Sequence, residues 1–289
     1  MSKKAVWTAE EDENLKKYVD LGDLSYKKIS KLINKSGLSC WRRANELKIK
    51  NSHSVRKHYF DKSYWEIPNE ENSYWAGFLG ADGCLAYQGG NCQITLTIGT
   101  IDKNHLEKYR KALGYTGPIQ IHKSKPNNLV KVRINSNKYW IDHLKDNFSL
   151  APQKTYRLAP PNLDEHLSLC YLAGYTDGDG CILYNKEGGS VRIKWVSSSI
   201  EILKWIKNII DSQYSSLVPE RKVANILSIN NYYVYMISSA RSAQFIDDIS
   251  KINLPTLDRK WRKPEVLAYV ARQKEKYPHL FDLKPCNSV

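Results

Sequence analysis

Residues 73–85 read SYWAGFLGADGCL and residues 170–183 read CYLAGYTDGDGCIL. Laid over each other at a spacing of 97, positions 74–85 and 171–182 share Tyr, Ala, Gly, Asp, Gly and Cys at six of twelve sites. Each stretch is aromatic, small and apolar with no polar face, which predicts a helix buried on all sides. Each then ends on an acid, Asp82 or Asp179, followed by glycine. The C-terminus of a helix carries partial negative charge, so a carboxylate there is disfavoured by roughly 0.3–1 kcal/mol. Gly83 and Gly180 are expected to stop the helices in the left-handed conformation. That reasoning explains the glycines and leaves the acids unexplained. One Asp-Gly pair is an ordinary turn into a strand; two, in matching helices, need a reason.

The segments after each copy also repeat. After Asp82 come the strand-like stretches CLAY and CQITLTIG around Gly89-Gly90, the helical spacing of DKNHLEKYRKAL, the alternating PIQIHKSK and LVKVRIN, and the helical KYWIDHLKDNF. After Asp179 come CILYNK, VRIKWVS, the helix SIEILKWIKNII, less regular strands around 216–229 and 232–238, and the helix SAQFIDDI. The expected fold class is therefore α+β, two pseudo-symmetric αββαββα repeats. Period-two reading puts Ile94, Leu96 and Ile98 against Gln93, Thr95 and Thr97, and Val130, Val132 and Ile134 against Lys131, Arg133 and Asn135. Val191, Ile193 and Trp195 likewise oppose Arg192 and Lys194. One face of each sheet is core; the other carries the side chains that contact phosphates and base edges.

Small residues at Ala76, Gly77, Gly80 and Ala81, and at Ala173, Gly174 and Gly178, let two such helices meet backbone to backbone. If they pair, both carboxylates arrive at one end, where their repulsion adds to the helix dipoles. A divalent cation resolves the conflict. Mg²⁺ takes oxygen ligands, typically one or two carboxylates with phosphate oxygens and water. Two carboxylates and a phosphodiester make a hydrolysis site.

Both stretches closely resemble the LAGLIDADG motif of homing endonucleases, as WAGFLGADG (75–83) and LAGYTDGDG (172–180), in the single-chain form with two motifs. The resemblance spans roughly 73–275 and implies that the motif helices form the interface between the halves. It implies that the sheets form a saddle for a long, asymmetric double-stranded DNA target. It implies that Asp82 and Asp179, with the preceding Ala81 and Gly178, hold Mg²⁺ (or Mn²⁺ or Ca²⁺) at the scissile phosphates. The first acid of the motif is Gly80 in one copy and Asp177 in the other, a position the family uses for packing. The family also places a basic residue near each site, which puts Lys154 and Lys260 in catalytic roles, and polar residues near the water network, for which Asp102 and Ser199 stand. Gln93, Thr95, Lys131, Arg133, Arg192 and Lys194 are the expected DNA contacts on the sheets. An RNA-splicing maturase and a non-catalytic DNA-binding regulator are alternatives on the same scaffold. The two retained acids favour cleavage.

The N-terminal stretch predicts three short helices. WTAEEDENLKKYVDL opens with a Thr8/Glu11 capping box, SYKKISKLINK has Ser25 as its cap, and LSCWRRANELKI follows Ser36-Gly37. Ile29, Leu32 and Ile33, then Leu38, Trp41, Ala44 and Leu47, are expected inward. Arg42, Arg43, Asn45 and Lys48 are expected outward as DNA contacts, a helix-turn-helix arrangement. This part resembles the Myb/SANT type of DNA-binding domain. The expected boundaries are 1–50 for this domain, 51–72 for a linker whose aromatics dock on the next domain, 73–150 for the first repeat, 151–165 for a connection, 166–275 for the second repeat and 276–289 for a tail.

Composition agrees with a polyanionic partner. The 289 residues carry a formal charge of +14, and residues 1–60 hold 14 Lys and Arg against 7 Asp and Glu. Six cysteines without a C-x-x-C pair read as reduced, mostly buried thiols and argue against zinc. There is no signal-like leader and no apolar run of about 18 residues. The expectation is a monomer, without membrane contact, in bacterial or phage-infected cytoplasm or in an organelle.

Overall fold

The computed structural model describes residues 7–20, 24–49, 58–88, 91–123, 128–136, 138–152, 157–214 and 225–281. They fall into two compact units, Met1–Tyr59 and Phe60–Val289.

In the first unit, α1 (Ala9–Asp20), α2 (Tyr26–Ile33) and α3 (Gly37–Glu46) close around Leu15, Val19, Ile29, Ile33, Cys40 and Ala44. The capping box forms: Glu11 N donates to Thr8 Oγ1 at 3.2 Å and Thr8 N to Glu11 Oε2 at 3.0 Å. Ser25 occupies the cap position of α2 but its side chain makes no capping bond; Ser36 Oγ does cap α3, accepting from Ser39 N. The inward reading of three residues is corrected. Leu32, Leu38 and Trp41 are 56%, 57% and 48% exposed. Short helices meet along a narrow line, and Cys40 and Ala44 let α3 approach so closely that its larger apolar neighbours are left outside.

In the second unit, the order helix, two strands, helix, two strands, helix occurs twice. The first pass is α4 (Glu70–Asp82), β1 (Gly83–Gln88), β2 (Asn91–Gly99), α5 (Lys103–Ala112), β3 (Gln120–His122), β4 (Leu129–Ser136) and α6 (Lys138–Phe148). The second is α7 (Glu165–Asp179), β5 (Gly180–Asn185), β6 (Ser190–Ser197), α8 (Ile200–Gln213), β7 (Leu227–Ile229), β8 (Tyr232–Ser238) and α9 (Ala240–Lys251). Each pass yields a four-stranded antiparallel sheet, β1-β2-β4-β3 and β5-β6-β8-β7. The expected alternation holds: Ile94, Leu96, Val130, Val132, Ile134, Val191, Ile193 and Trp195 are buried under the helices. The remaining strand positions form an outer face on each sheet. One apolar core runs through both repeats.

Two features were not read from the sequence, the helices beyond α9 and the exposure of Cys84 and Cys181; the docking of the linker aromatics was expected, and it begins at Phe60. Beyond α9 lie two further helices, α10 (Asp258–Trp261) and α11 (Pro264–Lys276). The stretch expected as a linker to 72 joins the second unit from Phe60 onward. There Trp65 is fully buried, Phe60 packs edge-on to Trp140 at 4.4 Å, and Trp140 Nε1 donates to the Lys62 carbonyl at 2.8 Å. Cys84 and Cys181, equivalent in the two repeats, are exposed on the outer sheet faces, while Cys40, Cys92 and Cys170 are buried; all five are free thiols. Gly89-Gly90, Lys154, Cys286, most of the 276–289 tail and 215–224 of the expected strand region lie outside the described residues.

Candidate active site at the seam of the two repeats

Helices α4 and α7 are buried on every side from Asn72 to Gly80 and, except for Leu169, from Ser168 to Asp177. Both start on firm caps. Asn69 and Asn72 form a reciprocal capping box, and Asp164 accepts from Leu167 N at 2.8 Å. They pair face to face by mutual glycine contacts. A Cβ on Gly77 would overlap the Tyr171 carbonyl, and one on Gly174 would overlap the Tyr74 carbonyl. These four residues are related by the 97-residue repeat, so the seam is a pseudo-two-fold contact of backbone against backbone.

The pairing continues to the C-terminal ends. A Cβ on Gly178 would overlap Ala81 and lie 3.4 Å from Asp82 Oδ2. A cavity of about 380 Å³ beside the seam is lined by Gly80, Ala81, Tyr175 and Asp179 among others. The last residue of each helix is thus brought to the same end of the pair, with Asp82 against α7 and Asp179 sharing a cavity with the end of α4. Burial, and next to it the charge of Asp179, raises the Tyr175 phenol. Gly83 and Gly180 do not take the left-handed conformation expected of them: their φ values are −78° and −93°. The chain runs straight from helix into strand there. A Cβ on Gly83 would come within 2.6 Å of the Leu79 carbonyl oxygen, and one on Gly180 within 2.6 Å of Thr176 Cα. Close approach, not positive φ, requires these glycines.

The two copies differ at the first acid of the motif. Asp177 is buried and fully engaged: Oδ2 accepts from Tyr74 Oη at 2.6 Å and Leu257 N at 2.9 Å, and Oδ1 from Trp261 Nε1 at 2.7 Å. Burial pushes its carboxyl above the usual range despite these donors. In the equivalent place Gly80 faces Tyr171, whose hydroxyl would sit 2.6 Å from a Cβ and has no hydrogen-bond partner among the described residues.

Lys260, expected as a catalytic lysine that orders water or offsets phosphate charge, has its Nζ on the end of α7. It donates to the carbonyls of Asp177 at 2.5 Å, Gly180 at 2.7 Å, Thr176 at 3.1 Å and Gly178 at 3.4 Å. A cation at this position offsets the negative end of the helix dipole. Burial lowers its ammonium from the ordinary lysine range, opposed first by Asp177 and also by Asp82. Arg259, its neighbour, makes a two-pronged ion pair with Asp102 of the first repeat at 2.6 and 2.7 Å. Ser199, the repeat equivalent of Asp102, is buried and donates to the Leu158 carbonyl at 2.8 Å. Lys154 lies outside the described residues. Sequence reasoning missed the Asp102–Arg259 clamp and the anchoring of Asp177 by Leu257 and Trp261, since both join partners 80 or more positions apart along the chain.

Among the described residues no three His, Cys, Asp or Glu side chains gather at one point. Asp82 and Asp179 offer carboxylate oxygens, the ligand type divalent cations such as Mg²⁺ take, at that end of the helix pair. The outer sheet faces begin two residues beyond each aspartate, at Cys84 and Cys181. Thr95 and Arg133 face each other across β2 and β4, as do Gln93 and Asn135, whose side chains hydrogen-bond at 3.0 Å, and Thr97 and Lys131. Arg192 and Lys194 occupy the outer face of β6. In the three-helix unit Arg42, Asn45 and Lys48 are exposed, whereas Arg43 is held by Asp12, at 2.5 and 2.7 Å, and by Glu46. No helix of the described residues is long and apolar enough to cross a membrane.

No family model matches the chain. A curated relative, an uncharacterized protein of Methanocaldococcus jannaschii, is 25% identical over 190 residues, 63% of each chain. This chain thus spans less than two thirds of that protein's length. Among solved structures the chain is similar to the LAGLIDADG meganuclease I-AabMI bound to uncleaved DNA (16% identity, 73% of this chain and 93% of that one, TM-score 0.46). It is also similar to I-DmoI in complex with DNA and Ca (17% identity, 72% and 97%, TM-score 0.45) and to the I-LtrWI LAGLIDADG homing endonuclease bound to target DNA (12% identity, 75% and 98%, TM-score 0.41). The element order and the seam between the two motif helices, seen in the structure itself, are those implied by the motif resemblance in the sequence.

Proposed function

We propose that the chain is a single-chain, two-motif LAGLIDADG homing endonuclease, which hydrolyses both strands of a site-specific DNA duplex. One observation carries this reading: Asp82 and Asp179, which nothing in helix or turn chemistry asks for, close the two seam helices at the same end, where the outer sheet faces begin. A divalent cation held by Asp82 and Asp179, Mg²⁺ in the first instance, would acidify a water and neutralise charge on the leaving oxygen. Ala81 and Gly178, which precede the two aspartates, would add backbone oxygens to it.

The rest is the work of the protein. The glycine seam fixes how far apart the two carboxylates stand. Lys260 holds the last turn of α7, and with it Asp179, while its charge acts on Asp82. That makes Lys260 a positioning residue; Lys154 is assigned the corresponding neighbourhood in the first repeat. Asp102 and Arg259 lock the second repeat to the first near the site. Gln93, Thr95, Lys131, Arg133, Arg192 and Lys194 contact bases and phosphates. Arg42, Asn45 and Lys48 of the helix-turn-helix unit add contacts to the same duplex. The partner is duplex DNA bound by a monomer, inside the cell.

The test is incubation of the full chain with a randomised duplex library and Mg²⁺, sequencing the cut ends. Asp82→Asn and Asp179→Asn should each abolish double-strand cutting with affinity within about threefold of wild type, because the uniform phosphate contacts remain. A variant that still cuts both strands rejects the mechanism.

A further inference from the structure

The two outer sheet faces are equivalent in backbone and differ in chemistry, the second being richer in aliphatic side chains. The repeat and the strand registers pair them row by row. Cys84, Thr95 and Arg133 in the first sheet correspond to Cys181, Lys194 and Met236 in the second. Ala86, Gln93 and Asn135 correspond to Leu183, Arg192 and Ser238. Thr97, Lys131 and Gln120 correspond to Val196, Val234 and Leu227. One polar row, Thr97–Lys131–Gln120, is replaced by a wholly aliphatic one; in the other two rows Met236 stands for Arg133 and Leu183 for Ala86, while Lys194, Arg192 and Ser238 stay polar.

These aliphatic side chains are not core. Leu227 is 58% exposed, Leu183 45% and Met236 39%, on the side of the sheet away from its covering helices. Val196 and Leu227 flank Val234 and bury it to 6%, so the three make a continuous apolar strip. Lys194 stands in the row beside that strip and Arg192 in the row after it. A face that mixes cationic and aliphatic side chains is poorly suited to a second protein core and well suited to a polyanion that carries apolar groups. The chain's charge of +14 points the same way.

We infer that the second sheet reads its half of the DNA target through thymine methyl groups, while the first sheet reads the other half through hydrogen bonds. This rests on the endonuclease reading and adds what each half recognises. In the major groove the C5-methyl of thymine is the one apolar feature a base edge offers, and aliphatic side chains contact it. Arg133, Gln93 and Asn135 are the side chains that pair with guanine and adenine edges. Arg192 and Lys194 then supply phosphate or base contacts inside an otherwise methyl-reading surface. The preferred target is accordingly asymmetric, with A·T pairs concentrated in the half that lies under β5–β8.

The test replaces thymine by deoxyuridine, which removes only the methyl group, in one half of a library-selected duplex at a time. Affinity of the full chain is read by mobility shift without added divalent cation, so that no strand is cut. Burying a methyl group is worth about a fourfold change in affinity, so each critical replacement should weaken binding by about that factor in the half under the second sheet and by clearly less in the other half, where Ala86 and the Thr95 and Thr97 methyl groups are the apolar contacts offered. Leu227→Gln and Met236→Gln, both exposed substitutions, should erase the penalty in that half. An equal penalty in both halves, no penalty in either, or a penalty that survives both substitutions overturns the inference and leaves the endonuclease reading intact. If no duplex is selected from the library, the endonuclease reading fails and takes the inference with it.

Discussion

Tyr74 of the first seam helix donates a 2.6 Å hydrogen bond to Asp177 of the second, and the same hydroxyl oxygen lies 3.0 Å from His105 Nε2. A hydroxyl has one proton, and it is spent on the carboxylate. His105 must then donate from Nε2, which leaves its Nδ1 as a bare acceptor and matches the absence of a partner for that atom among the described residues. A buried polar chain from α5 through α4 to α7 and Trp261 therefore stitches the repeats together. Asp177→Ala would strand the Tyr74 hydroxyl, the Leu257 amide and the Trp261 indole N–H. Unsatisfied buried groups cost about 1–3 kcal/mol each, so denaturant unfolding should show a loss of about 3 kcal/mol or more. Asp177→Asn, which keeps an acceptor, should lose less. Equal losses would contradict the network.

Burial lowers the imidazole of His105 from its ordinary value of 6.5 to about 3. The folded protein thus keeps this ring neutral where the unfolded chain protonates it. Its contribution is complete above pH 6.5 and is lost as pH falls towards 3, at about 1.4 kcal/mol per pH unit. Asp177 works in the opposite sense, since its carboxyl is raised: its share is present at low pH and is lost as pH rises through its folded value. The clean readout is the difference between wild type and His105→Gln. That difference should narrow steadily on acidification below pH 6.5, and a constant difference would refute a buried neutral ring.

Gly77→Ala and Gly174→Ala place a Cβ on a backbone carbonyl of the partner helix, where no rotamer change can help. Overpacking commonly costs about 1–3 kcal/mol and more where backbone must move, so both variants should be strongly destabilised. Gly99→Ala is the control: φ is −63° and the nearest atom to an added Cβ is 3.8 Å away. Its unfolding midpoint should equal or exceed wild type.

Arg42 and Arg43 are neighbours with separate work. Arg43→Ala should lower the stability of the three-helix unit, because it removes the ion pair that holds Asp12 below the usual carboxylate range and joins α3 to α1. Arg42→Ala should leave stability alone and reduce the salt dependence of DNA binding, by about 0.9 in the logarithmic slope if the side chain neutralises one phosphate. A reversed pattern would show that the assignment of the two residues is wrong.

The seam and the sheets were legible because they rest on local rules. Period-two alternation named the buried strand positions, and the doubled run of small residues named the helices that pair. The left-handed reading of Gly83 and Gly180 failed because it considered the helix end alone, whereas the chain passes there directly into an extended strand. Leu32, Leu38 and Trp41 were misplaced because helical spacing names more inward positions than a three-helix unit of about 50 residues can cover. Arg43, Asp102 and Lys260 look like free polar side chains in sequence. Glu46, three residues after Arg43, was open to a spacing rule, but Asp12 and the partners of Asp102 and Lys260 arrive only through the tertiary fold. The aliphatic outer rows escaped notice because Leu227 and Val234 come from strands whose sequence pattern is irregular.

The contrast between Asp177 facing Tyr74 and Gly80 facing Tyr171 makes the repeats unequal as building blocks. A homodimer assembled from two copies of the second repeat would give each Tyr171 an acidic partner on the opposing chain. The same experiment with the first repeat would oppose tyrosine to glycine twice and leave both hydroxyls without an acidic partner. An engineer wishing to cut palindromic DNA with this scaffold should start from the C-terminal half.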